Sequence, residues 1–88
     1  MGRFIAVQKL PAEAGQDELI GMGEALANGH GGTAVWLRSW VVPEEERVLS
    51  EWDAPEAEDV RAALDAAGLF PVEAIHVAGL IEPEWFRE

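Results

Sequence analysis

Thr33-Ala34-Val35-Trp36-Leu37-Arg38-Ser39-Trp40-Val41-Val42, then Pro43-Glu44-Glu45-Glu46, then Arg47-Val48-Leu49-Ser50-Glu51-Trp52-Asp53, forms two runs rich in β-branched and aromatic residues around a polar break. The pattern predicts a long antiparallel hairpin. With residues 43–46 as the loop, Val42 faces Arg47, and each step inward pairs the next two residues, so that Arg38 meets Glu51 and Trp36 meets Asp53. One face then carries Trp36, Arg38, Trp40, Leu49, Glu51 and Asp53. The other carries Val35, Leu37, Ser39, Val41, Val48, Ser50 and Trp52. A sheet covered by helices on one side should alternate polar residues on the other, yet both faces hold tryptophan. The expected cover for the second face is another copy of the chain.

Working outward, Arg3 to Leu10 reads as a first strand ended by Pro11. Asp17 and Glu18 place negative charge in the first turn of a helix whose apolar stripe is Leu19, Met22, Ala25 and Leu26. Gly21 and Gly23 weaken it by roughly 1 kcal/mol each against alanine. Asn28-Gly29-His30-Gly31-Gly32 reads as its C-cap and a turn. After the hairpin, Ala54-Pro55-Glu56-Ala57-Glu58-Asp59 has the form of a helix start with proline in the first turn. Val60, Ala63, Leu64 and Ala67 give the stripe of that helix, and Gly68 stops it. Glu73 to Ile81 reads as the last strand, with Ile75 and Val77 on one face and His76 and Ala78 on the other.

The order is β-α-β-β-α-β, an α+β ferredoxin-like arrangement: a four-stranded antiparallel sheet with two helices on one face. Residues 1–82 form one domain and 83–88 a short tail. Pressing two bare sheet faces together would give a homodimer of the dimeric α/β-barrel type.

At 88 residues the chain buries only about 60–65% of its unfolded surface, so oligomerisation would supply missing core. Seventeen acids against six bases give a net charge of −11, which repels phosphate backbones and anionic headgroups and argues against nucleic-acid and membrane partners. The absence of cysteine excludes disulfides, thiolate metal sites and a cysteine nucleophile. The first residues hold too short an apolar run for a signal peptide, no membrane-length segment follows, and Ala6 does not suit myristoylation; the expectation is a cytoplasmic protein.

Trp36 to Val41, Asp53-Ala54-Pro55-Glu56, Val60-Arg61, Gly68-Leu69-Phe70-Pro71 and Leu80-Ile81-Glu82-Pro83 resemble a family of small ferredoxin-like proteins of unknown function, some described as nickel-binding, of the nickel-responsive type. The resemblance implies the same fold and makes nickel the metal it suggests. The family pattern carries a Cys in the third strand and a His in the second helix, where this chain has Ser50 and Ala63.

Read from the residues, the ligand-pocket candidates are Trp36, Arg38, Trp40, Glu51 and His76: arginine for an anionic group, tryptophans for an apolar body. His30 and His76 are the only histidines and the weak metal candidates. Arg38 and Glu51 read equally as a cross-strand ion pair, and His76 as a hydrogen-bonded structural imidazole. His30, among glycines after a helix, does not suit a phosphate loop, which needs a helix start. Ser39 and Ser50 face each other and read as structural. The leading function is ligand or metal binding without catalysis. One alternative is a cofactor-independent dimeric α/β-barrel enzyme of monooxygenase or isomerase type. Another is an acidic interaction module using Trp85-Phe86.

Overall fold

A computed structural model describes residues 2–28, 32–68 and 70–87. The strands are β1 (Gly2–Lys9), β2 (Val35–Val42), β3 (Arg47–Ala54) and β4 (Val72–Ala78), and the helices are α1 (Gln16–Ala27) and α2 (Ala57–Ala67). They follow the expected βαββαβ order and make one antiparallel sheet in the order β2-β3-β1-β4. The fold is α+β and ferredoxin-like.

The local chemistry explains the element ends. The backbone N–H of Gly15 donates to the Glu18 carboxylate at the start of α1, and that of Glu56 donates to Asp59 at the start of α2. Pro55 stands before the Glu56 cap and outside the first turn, a correction to its expected place. Gly68 ends α2 in the left-handed region at φ 67°, where a Cβ would be strained. Glu46 closes the Pro43–Glu45 turn at φ 53° without that freedom. The last strand stops at Ala78, short of the expected Ile81: Ala78 already lies opposite Arg3, so little ladder remains to pair with.

The core lies between the sheet and the helices. Phe4, Ala6, Val48, Trp52 and Ala54 are buried from the sheet, and Met22, Leu26, Val60 and Leu64 from the helices. These helix residues are the apolar stripes read from sequence. Among the described residues no helix covers the opposite sheet face.

Candidate functional site

The hairpin register holds as read from Val42 opposite Arg47 through Arg38 opposite Glu51 and then shifts by one residue. Leu37 is the extra residue of a bulge, and Trp36 pairs with Trp52 instead of Asp53. Because side chains alternate along a strand, one inserted residue reverses the face of everything beyond it. Trp36 therefore sits on the helix side and packs against the core, not beside Arg38 and Trp40 as the unbulged pattern predicts.

Two serines anchor the two tryptophans. The Trp36 indole N–H donates to the Ser39 hydroxyl at 2.9 Å, and that of Trp52 donates to Ser50 at 2.8 Å. The polar ends of both rings are thus engaged within the sheet, and what the rings present beyond it is carbon. Opposite them, α1 contributes Ala25 and Leu26, and α2 contributes Ala62, Ala63, Ala66 and Ala67. Methyl side chains are too short to fill the space between two helices and a sheet. A cavity of about 490 Å³ results, and among the described residues that line it Asn28 is polar and none is ionisable.

The uncovered sheet face holds the remaining pocket candidates. Glu51 is only 5% exposed although it stands on the open side, because Arg3 and Arg38 close over it. The contacts are Arg3 Nη1 to Glu51 Oε2 at 2.5 Å and Arg38 Nη1 to Glu51 Oε1 at 3.2 Å. Arg3 was not among the sequence candidates; it enters from β1, whose neighbour in the sheet the sequence does not specify. Trp40 is 47% exposed on the same face. His76 is exposed and lies in the row Arg38, Glu51, Ile5, His76 that crosses all four strands. Three strand spacings, about 14 Å, separate it from Arg38, so one protomer does not bring the two together. His30 lies outside the described residues.

With this geometry in view, comparison with known proteins is specific. The family model described as nickel responsive protein SCO4226-like matches residues 4–77. The chain belongs to this family. A crystal structure of SCO4226 from Streptomyces coelicolor A3(2) matches with a TM-score of 0.77 at 22% identity, covering 91% of this chain and 99% of that one. At that identity the likeness concerns the fold. Among curated proteins none matches.

The family's name makes nickel the metal to test against the donor set. Among the described residues no three His, Asp or Glu side chains gather as a metal site. Ser50 accepts the Trp52 indole N–H and Ala63 offers no donor, while Glu51 is held by two arginines. The described residues of this SCO4226-like chain do not fit a nickel site. Ala63 lines the apolar cavity, and Ser50 holds the indole of Trp52, which lines it too. Sequence reasoning missed that cavity because a bulge leaves no sequence signature here; the one available signal was the alanine-rich packing stripe of α2.

Proposed function

We propose that this chain is a small cytoplasmic binding protein, without an assigned catalytic step, whose ligand is a neutral, flat, apolar molecule held between the two helices and the tryptophan pair. The observation that carries this reading is the 490 Å³ cavity lined mostly by alanines, Leu26, Trp36 and Trp52, with Asn28 as its polar side chain among the described residues. Its volume falls within the range of about 300–1,000 Å³ in which small-molecule sites lie. A charged ligand would give up its hydration there without finding a counter-charge among the described lining residues. A flat apolar ring loses little water and gains contact with the indoles and the alanine methyls.

The test is a fluorescence titration with N-phenyl-1-naphthylamine, a neutral aromatic probe that brightens in apolar surroundings. The native chain is expected to bind it saturably, one molecule per chain. Ala63→Leu, which pushes a larger side chain into the cavity, should weaken binding by about tenfold or more, the effect of 1.4 kcal/mol of overpacking against the ligand. Equal binding by the two proteins with unchanged circular dichroism, or no saturable binding by either, contradicts the reading.

A further inference from the structure

The cavity between the helices and the tryptophan pair is graded from floor to mouth. Leu26 and Trp52 at its floor are buried, whereas Asn28, Gly32, Ala62 and Ala66 at its rim are exposed. Asn28 is the polar side chain among the described lining residues. A flat ligand seated here has carbon around its body and one amide at the mouth.

Asn28 is the C-cap of α1, and its amide is oriented by the helix it closes. The backbone N–H of Asn28 donates to the Glu24 carbonyl at 2.9 Å, and its side-chain Nδ2 donates to the same oxygen at 2.8 Å. The second bond fixes which way the amide is turned, because the reverse setting would place oxygen against oxygen. With Nδ2 committed to the helix, Oδ1 is the acceptor end of the side chain. The end of α1 has the same character. Carbonyls of a last helical turn lack partners within the helix and carry the negative end of its dipole. No basic side chain stands in the last turn of α1 to offset it. This part of the rim receives hydrogen bonds, and a ligand that can only accept them gains nothing there.

We propose, resting on the reading of this cavity as the binding site, that its ligand is an aromatic molecule with one neutral hydrogen-bond donor, a phenol or an indole. Its O–H or N–H is received by Asn28 Oδ1 while its ring lies against Trp36 and Trp52. A donor placed deeper, among the alanines and Leu26, would lose its water without finding a partner, so Asn28 also sets which end of the ligand faces out.

Two matched pairs test this: naphthalene with 2-naphthol, and indene with indole. Dissociation constants are read from the tryptophan indole shifts in nitrogen–proton correlation spectra of the native chain, Asn28→Ala and Asn28→Asp. In the native chain the donor-bearing member of at least one pair should bind about three- to tenfold tighter than its hydrocarbon, the net effect of one hydrogen bond. The pair with the larger ratio tells an O–H from an N–H ligand. Asn28→Ala should abolish the preference and leave hydrocarbon binding unchanged, whereas Asn28→Asp, which keeps an acceptor oxygen at that place, should retain it. Unchanged hydrocarbon binding also shows that the exposed-site variants keep the cavity. The ketone 2-acetonaphthone, which only accepts, should bind no tighter than naphthalene. If neither hydrocarbon binds the native chain, the cavity is not the binding site and both readings fall. If the hydrocarbons bind but the native chain shows no donor preference, the preference survives in Asn28→Ala, or the ketone is favoured, the donor proposal alone is overturned.

Discussion

Trp36 lies directly opposite Trp52 on the helix side of the sheet because Leu37 is one residue more than the ladder can pair. The bulge makes the cavity: without it Trp36 would stand on the open face beside Arg38. Trp36→Ala should cost roughly 3–5 kcal/mol, the penalty of emptying a tryptophan's place in the packing. A domain of this size has a total stability of about 4–13 kcal/mol, so urea denaturation should find Trp36→Ala near its folding threshold. Deleting Leu37 straightens the strand but leaves Trp36 next to Arg38 in the chain, hence still on the helix side opposite Trp52, and should be much milder. Equal effects of the two changes would deny Trp36 its place in the packing.

Glu51 is a buried carboxylate with two guanidiniums over it, and removing its charge leaves both without their partner. Glu51→Gln should destabilise by about 3 kcal/mol or more. Arg38 is 60% exposed, and Arg38→Met should cost less than about 1 kcal/mol. Chemical denaturation of the two variants orders them; an Arg38 effect equal to that of Glu51 would mean that Arg3 contributes little.

Backbone conformation gives opposite signs at two caps. Gly68→Ala puts a Cβ at φ 67° and should cost about 1 kcal/mol, whereas Glu46→Gly relieves a side chain at φ 53° and should gain up to about 1 kcal/mol. Thermal melts that moved in the same direction for both would contradict this assignment.

Gly21 and Gly23 face open space on α1, with nothing within 4 Å of an added Cβ. Gly21→Ala and Gly23→Ala should each stabilise the protein by about 0.5–1 kcal/mol through helix propensity and the unfolded chain. A loss of stability in urea titration would reveal a close contact at these positions.

Native mass spectrometry of the untagged chain with added nickel checks the donor-set argument. No stoichiometric nickel should be retained, since Ser50 and Ala63 offer no metal ligand pair and Glu51 is already engaged. One retained nickel per chain would contradict it.

The element order, both helix stripes and the hairpin loop were legible because each rests on a short-range period or a turn signal. The Ser39–Ser50 and Arg38–Glu51 pairs were legible too, because they lie between the loop and the bulge, where counting from the turn still holds. Trp36 was misplaced for the converse reason: it lies beyond Leu37, and a strand with leucine, valine and tryptophan on both faces gives no hint of where an extra residue sits. Arg3 is absent from the sequence candidates because pairing of β1 with β3 is a long-range fact, and the sequence leaves the distance from His76 to Arg38 open because strand order is not written in strand sequence. The cavity itself is an absence of side-chain volume, visible beforehand only as alanines on the α2 stripe.

The central claim is that the cavity between the helices and the tryptophan pair is the binding site. The chain has four tryptophans and hence four indole N–H resonances, two of them at the cavity and two, from Trp40 and Trp85, on exposed surfaces. A nitrogen–proton correlation spectrum recorded during titration with N-phenyl-1-naphthylamine reads all four together. Saturable shifts of the Trp36 and Trp52 indoles with Trp40 and Trp85 unmoved are the predicted result; shifts confined to Trp40 or Trp85, or none at all, would contradict the account.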